Sequence, residues 1–122
     1  MEFTLDTNIL IYYAKGDAAC IEFMNANLEK DALILPTIVT VEFLAFPVLT
    51  LQERELFLTL LLKFRTVALD TQIAFLAADI RKNKVKLGDS VIAATALFTH
   101  TALATRNLRD FKKIKELTLY SL

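Results

Sequence analysis

Three acidic residues could bind a cation together: one at a strand-to-helix junction, and two where a carboxylate is difficult to explain by packing. Asp6 follows a short apolar segment and directly precedes a helical pattern, while Asp89 comes just after Gly88 at the start of another. Glu42 lies within a third helical pattern. In a parallel α/β sheet, a strand-to-helix junction lies at the carboxyl ends of the strands, where such folds bind their ligands. Carboxylates that meet at this edge would attract a divalent cation.

Two of these residues also have an ordinary structural interpretation. An Asp before Thr7-Asn8-Ile9 is a good N-cap for the first helix, and Asn8 could hydrogen-bond locally and fix the turn. Asp6 could cap with one oxygen and bind metal with the other. Asp89 could likewise cap the helix that follows it, where the helix dipole would keep its pKa low.

Glu42 is harder to explain without a function. Its neighbours one helical turn away are Ile38 and Phe46, so it interrupts an apolar stripe. Burial of a lone carboxylate costs several kcal/mol, on the order of magnitude, unless the group is paired, protonated or metal-bound. No Lys or Arg lies within a helical turn, although a partner from elsewhere in the fold remains open.

A fourth polar group lies near the end of the chain. Thr105, Asn107 and Asp110 offer a hydroxyl, an amide and a carboxylate where another apolar segment turns into a helical pattern. They could complete a metal shell or orient water. Asp110 could equally just favour the dipole of its own helix.

Short apolar segments alternate with helical patterns along the whole chain. The predicted strands are Glu2–Leu5, Leu33–Leu35, Thr66–Leu69, Ala102–Ala104 and Thr118–Leu119. The predicted helices are Thr7–Ala14, Ala18–Leu28, Thr37–Phe46, Leu51–Phe64, Thr71–Asn83, Asp89–Thr99 and Leu108–Ile114. Thr50 with Glu53 reads as a capping box, and Asp70 as an N-cap. This alternation indicates a small parallel sheet covered by helices on both faces.

Composition predicts a single domain over residues 1–122 with surplus apolar surface. Hydrophobic residues make up 55% of the 122 residues and the mean hydropathy is +0.45. No run approaches the ~18 apolar residues of a membrane span, and the start of the chain lacks the features of a secretion signal. The single cysteine, Cys20, cannot form an internal disulfide, which is typical of a reducing cytoplasm. The surplus apolar surface favours an oligomer or a partner interface.

Charge is balanced overall but uneven along the chain. Residues 1–80 hold 5 Lys or Arg against 11 Asp or Glu, whereas residues 81–122 hold 9 against 3. A locally basic face of this kind could dock a phosphate backbone, or it could be an ordinary solvated surface.

The remaining residue types narrow the chemistry. One His and one Cys cannot build a zinc site, and there is no Walker loop, GxGxxG or Ser/His/Asp arrangement. The oxygen ligands that remain suit Mg²⁺ or Mn²⁺, which can polarise a phosphoryl oxygen and activate water. Aspartyl-phosphate phosphatases also begin with a strand that ends in Asp, but they need a second Asp where this chain has Asn8.

Four segments in order resemble the PIN-domain ribonucleases, and most closely the VapC-type toxins of toxin–antitoxin pairs. The segments are Leu5–Leu10, Thr40–Leu44, Lys86–Ala96 and Leu103–Phe111. The resemblance implies a three-layer α/β/α fold with a parallel five-stranded sheet, and Mg²⁺- or Mn²⁺-dependent cleavage of RNA. It implies that Asp6, Glu42 and Asp89 hold the metal, and that Asp110 or Asn107 completes the site with Asn8 and Thr105 in support.

The resemblance also implies partners. A homodimer and a cognate antitoxin would cover apolar surface, and the candidate contact surfaces are Leu51–Phe64 and Tyr12-Tyr13. Arg106, Arg109 and Lys112 are candidate contacts for RNA phosphates. The alternative is a PIN-like binding or assembly module without nuclease activity.

Overall fold

A computed structural model describes all 122 residues, which form a five-stranded parallel sheet in the order β3-β2-β1-β4-β5. The strands are β1 Phe3–Leu5, β2 Leu33–Pro36, β3 Arg65–Val67, β4 Ala102–Thr105 and β5 Leu119–Ser121. The helices are α1 Thr7–Ala14, α2 Ala18–Leu28, α3 Thr37–Leu44, α4 Leu51–Leu60, α5 Thr71–Arg81, α6 Leu87–Thr99 and α7 Leu108–Phe111. A 3-10 turn, Leu61–Lys63, follows α4. The predicted three-layer α/β/α fold is confirmed.

The central strands explain why the sheet forms. β1, β2 and β4 are mostly apolar and wholly buried, as expected for parallel strands covered on both faces. Phe3 pairs with Leu33 of β2 on one side and with Ala102 of β4 on the other. Leu5 then lies opposite Ala104, so the carboxyl ends of β1 and β4 are adjacent. This pairing brings together residues from the two ends of the chain.

The core lies between the sheet and the helices. α6 is buried continuously from Ser90 to Ala96, and it is the most enclosed helix. In α3 and α4, the rings of Phe43 and Phe57 stack with centroids 4.3 Å apart. Both rings are almost fully buried, which anchors α3, the helix that carries Glu42.

The predicted caps at Thr50 and Asp70 are confirmed, whereas several predicted boundaries shift. Thr50 and Glu53 form the capping box, and Asp70 accepts a hydrogen bond of 2.9 Å from the amide of Ile73. α5 ends at Arg81 rather than at residue 83, because the chain turns with Lys84 in the left-handed region at φ 66°. The other helices that differ are α3, α4 and α7, which end earlier than predicted, and α6, which begins earlier.

Candidate active site at the carboxyl edge of the sheet

Asp6 is held at the end of β1 by the neighbouring strand. The Oγ1 of Thr105, at the end of β4, donates a 2.8 Å hydrogen bond to the Asp6 Oδ2. The amide of Asp6 donates to the carbonyl of Ala104 at 3.1 Å. Asp6 stands at the N-cap position of α1, but its side chain makes no capping hydrogen bond. The interpretation of Asp6 as a side-chain cap is therefore wrong, because the pairing of β1 with β4 directs the carboxyl group elsewhere.

The surroundings of Asp6 disfavour its charge. Burial raises the pKa of Asp6 from 3.8 to about 6, because only 3% of the residue remains exposed. The hydrogen bond from Thr105 lowers this pKa in part, whereas the charges of Asp89 and Glu42 raise it further. Asp6 therefore lies close enough to both acidic residues to be affected by their charges.

Glu42 bridges the two other acidic positions. Thr7, the residue after Asp6, donates a 2.5 Å hydrogen bond from Oγ1 to the Glu42 Oε1. The other carboxylate oxygen, Oε2, lies 2.5 Å from where a Cβ on Gly88 would stand, and Gly88 directly precedes Asp89. The half-buried carboxylate of Glu42 thus fits between the residue after Asp6 and the residue before Asp89.

Thr7 and Gly88 are site residues that the sequence analysis missed. Thr7 donates to Glu42 over 35 positions of sequence, and no local pattern signals such a contact. Gly88 leaves room that any side chain would fill, since even a Cβ would collide with Glu42. A glycine in the first turn of a helix, directly before an acidic residue, was the available signal.

Asp89 lies in the first turn of α6, which begins at Leu87 and not at Asp89. Lys86 occupies the N-cap position, so the interpretation of Asp89 as the cap is wrong. The expectation of a low pKa is wrong as well. Partial burial raises the pKa of Asp89, and the charges of Asp110 and Glu42 raise it further. These effects outweigh the helix dipole and the nearby charge of Lys86.

Asp110 and Asn107 are joined by a hydrogen bond between their side chains. The side-chain amide of Asn107 donates a 2.9 Å hydrogen bond to the Asp110 Oδ2. Its backbone amide donates to the Thr105 Oγ1 at 2.9 Å, and Thr105 in turn donates to Asp6. A chain of hydrogen bonds therefore connects Asp110 to Asp6. Because the charge of Asp110 raises the pKa of Asp89, the carboxylate of Asp110 lies near that of Asp89.

The ligand atoms offered here are all oxygens of carboxylates and hydroxyls, which is the donor set of a hard cation such as Mg²⁺ or Mn²⁺. In this arrangement no group of three or more His, Cys, Asp or Glu residues could hold a metal ion. Burial is the main cause of the raised pKa values of Asp6 and Asp89, and the charges of neighbouring carboxylates raise them further. The carboxylate and hydroxyl oxygens at this edge therefore fit a divalent cation in the chemistry of their donor atoms.

The candidate phosphate contacts differ in whether their side chains are already engaged within the protein. Arg106 forms a two-pronged ion pair with Asp17, at 2.8 and 2.9 Å, and its guanidinium lies 4.7 Å from the ring centroid of Tyr12. Contact between Arg106 and a phosphate would require this pair to open. Arg109 and Lys112 are exposed on and after α7, next to Asp110. Asn8 is also exposed, at the start of α1.

The predicted contact surfaces expose apolar side chains. On α4 and the following turn, Leu51 is 78% exposed and Leu62 is 93% exposed, and Leu58 is about half exposed. Tyr12 is exposed and Tyr13 is partly buried.

Cys20 is a buried free thiol. None of the helices has the length and apolar character needed to cross a membrane.

The comparisons with known proteins agree with this architecture. The family model described as PIN domain matches residues 3–117. A toxin–antitoxin complex from Klebsiella pneumoniae contains a chain 27% identical to this one, with a TM-score of 0.82 over 99% of this chain and 100% of that chain. No curated protein sequence matches significantly.

Two other solved structures are similar in fold. A chain of VapBC2 from Rickettsia felis, bound to a promoter DNA fragment, is 20% identical with a TM-score of 0.84 over 100% of this chain and 99% of that chain. A chain of DNA-bound VapBC from Salmonella typhimurium is 23% identical with a TM-score of 0.84 over 99% of this chain and 98% of that chain.

Proposed function

Because the chain belongs to the PIN domain family, we propose that it is a Mg²⁺- or Mn²⁺-dependent endoribonuclease and the toxin of a VapBC-type pair. The family is one of nucleases. The observation that supports the proposal best is the meeting of Asp6, Glu42 and Asp89 at one edge of the sheet, where their charges act on one another. A fold without a cation to bind would gain nothing from this repulsion.

The side chains of the site have different proposed roles. Asp6, Glu42 and Asp89 would hold the cation, with Asp110 as the fourth carboxylate. The bound cation would polarise a phosphoryl oxygen and lower the pKa of a water for in-line attack. Thr105 fixes the orientation of Asp6, Thr7 fixes that of Glu42, and Asn107 fixes that of Asp110. Arg109 and Lys112 are exposed where the RNA backbone would pass.

The proposed partners follow from the similar structures and from the surface. The Klebsiella pneumoniae structure is a toxin–antitoxin complex, and we propose a cognate antitoxin for this chain too. The exposed leucines of α4 and its following turn suit a homodimer or antitoxin contact. A free thiol at Cys20 suits a reducing cytoplasm.

A cleavage assay tests the nuclease. Purified protein with Mn²⁺ should cut a labelled mixture of cellular RNAs, and EDTA should stop it. Asp6→Asn and Asp89→Asn should each lower the rate by about 100-fold or more, because each removes a charge that the site uses to hold its cation. Asp79→Asn is the matched control, because Asp79 is an exposed aspartate whose ion-pair partner is Lys82.

Each result has a clear consequence. Equal rates for the wild type, Asp6→Asn and Asp89→Asn would show that the site is assigned wrongly. If the folded wild-type protein binds no Mn²⁺ in calorimetry and cuts no RNA, the nuclease proposal is wrong. The alternative, a PIN-like binding or assembly module without nuclease activity, would then take its place.

A further inference from the structure

Arg106 contacts three separate parts of the fold. Its two terminal nitrogens donate to the two carboxylate oxygens of Asp17 at 2.9 and 2.8 Å, and its Nε donates to the main-chain oxygen of Leu122 at 3.3 Å. The guanidinium also lies over the ring of Tyr12. These contacts connect the residue that follows β4 to α1, to the start of α2 and to the residue that follows β5. A planar guanidinium that makes two parallel bonds is held in one orientation.

Asp17, the partner of Arg106, is itself held firmly. Its amide donates to the carbonyl of Tyr12 at 3.0 Å, and its Oδ1 accepts a 3.1 Å hydrogen bond from the amide of Cys20. The side chains of Arg106 and Asp17 are only 28% and 30% exposed, so water and salt compete less with the pair than with a fully exposed one. Asp17 is therefore a fixed point to which the chain after β4 is attached.

Arg106 lies in sequence between the two residues that orient carboxylates of the site. Thr105 donates to the Asp6 Oδ2 at 2.8 Å, and the side-chain amide of Asn107 donates to the Asp110 Oδ2 at 2.9 Å. The Thr105 hydroxyl also accepts from the amide of Asn107, which leaves its own proton for Asp6. Residues 106 and 107 lie between β4 and α7, outside any helix or strand. The side chain of Arg106 therefore has a large part in holding this turn.

We propose that Arg106 is a positioning residue, which fixes the turn between β4 and α7 so that Thr105 and Asn107 hold Asp6 and Asp110 ready for a divalent cation. The proposal rests on the proposed nuclease function, because it needs a cation at these carboxylates. It assigns Arg106 a different role from the phosphate contact predicted from the sequence. Removal of a side chain that orients a metal ligand costs about 10–100-fold in affinity, and Arg106 acts one step further away. We therefore expect an effect of about tenfold.

Mn²⁺ binding to the RNA-free protein, measured by calorimetry, tests this role without cleavage. Arg106→Gln should weaken Mn²⁺ binding about tenfold, and Arg106→Lys about threefold, because lysine keeps the charge but cannot form two parallel bonds. Lys15→Gln is the matched control, since Lys15 also pairs with a glutamate, Glu53, and donates to a main-chain oxygen at 2.7 Å. Lys15 lies at the other end of α1 from Asp6, so its loss should lower stability and leave Mn²⁺ affinity unchanged.

Amide hydrogen exchange in EDTA measures the turn without any metal. The amide of Asn107, which donates to Thr105, should exchange severalfold faster in Arg106→Gln than in the wild type. The amide of Ala102, at the start of β4, donates to the carbonyl of Glu2 and should keep its rate. A change at Asn107 alone is the sign of a local release of the turn.

The outcomes separate this role from the proposed nuclease. Equal Mn²⁺ affinity of the wild type and a folded Arg106→Gln would overturn the positioning role alone. An equal loss of affinity in Lys15→Gln, or equally faster exchange at Asn107 and Ala102, would also overturn it, because the effect would then be one of overall stability. If Arg106→Gln does not fold, wild-type affinity in Arg106→Lys would overturn it. Absence of Mn²⁺ binding by the wild type would contradict the proposed function itself, and this role with it.

Discussion

Asp6 and Asp17 stand at the N-cap positions of successive helices, α1 and α2, yet their pKa values are shifted in opposite directions. The hydrogen bonds from Arg106 hold the pKa of Asp17 well below its usual range, and the amide of Cys20 adds a capping bond. Burial raises the pKa of Asp6 to about 6, and two other carboxylates raise it further. From these pKa shifts we expect the charge of Asp17 to stabilise the fold and the charge of Asp6 to destabilise it. Unfavourable charge of this kind is typical of a functional site.

The largest expected difference between the two aspartates is in catalysis. Asp17→Asn should retain cleavage within about tenfold of the wild type, because Asp17 acts on the site only through Arg106, whereas Asp6→Asn should lose about 100-fold or more. Initial rates on the same RNA, with the same Mn²⁺ concentration, give the ratio. Equal losses would remove the functional contrast between the two residues.

Stability should change with opposite signs. A pKa raised from 3.8 to about 6 corresponds to ~3 kcal/mol at most, so Asp6→Asn should stabilise the protein in EDTA at pH 8 by about 1–3 kcal/mol. Asp17→Asn should destabilise it, because it weakens both the ion pair and the cap. Urea unfolding of both variants measures this. A destabilised Asp6→Asn would contradict the interpretation of Asp6 as strained by its charge.

The position of Glu42 offers a finer test of the acidic edge, by which we mean Asp6, Glu42, Asp89 and Asp110 at the carboxyl ends of the strands. Gly88→Ala would place a Cβ 2.5 Å from the Glu42 Oε2, so the carboxylate must move away. We expect about a tenfold loss of cleavage, since small displacements at a site are costly. Ala96→Gly, elsewhere on α6, changes the same helix outside the site and serves as the control. Full activity in Gly88→Ala would show that Glu42 need not stay where it is.

The smallest expected effect is in the pH dependence of stability. Asp6 binds a proton more tightly in the folded state, so its contribution falls as pH rises from about 4 through about 6, and the advantage of Asp6→Asn should grow over that range. Asp17 binds its proton more weakly when folded, so its contribution is present above about pH 4 and is lost below it. Thermal unfolding from pH 3 to 8 resolves both trends. If the unfolding temperatures of the wild type and of Asp6→Asn change in parallel with pH, the expected trend for Asp6 is wrong.

The comparison also shows what the sequence could predict. The sheet was predictable because its central strands are short apolar segments bounded by clear helix starts, such as Leu33–Leu35 before Thr37. The capping box of Thr50 was predictable because its partners lie three residues apart. Both signals come from residues close together in the sequence, and such signals are sufficient to predict helices and strands.

The environment of each aspartate was not predictable in the same way. Asp6 and Asp17 both precede helices, and nothing near them in sequence separates the buried carboxyl from the paired one. The difference comes from Thr105 and Arg106, successive residues about 90 to 100 positions away, which the pairing of β1 with β4 brings close. The sequence was therefore sufficient to name the acidic candidates of the site, whereas the side chains that orient them required the structure.

Thermal unfolding with and without Mn²⁺ at neutral pH tests the central claim most directly. If the carboxylates of the acidic edge share one cation, millimolar Mn²⁺ should raise the unfolding temperature of the wild type and of Asp17→Asn, because ligand binding stabilises the folded state. Asp6→Asn and Asp89→Asn should show little or no rise. An unfolding temperature of the wild type that Mn²⁺ leaves unchanged, or an equal rise in all four proteins, would contradict the account.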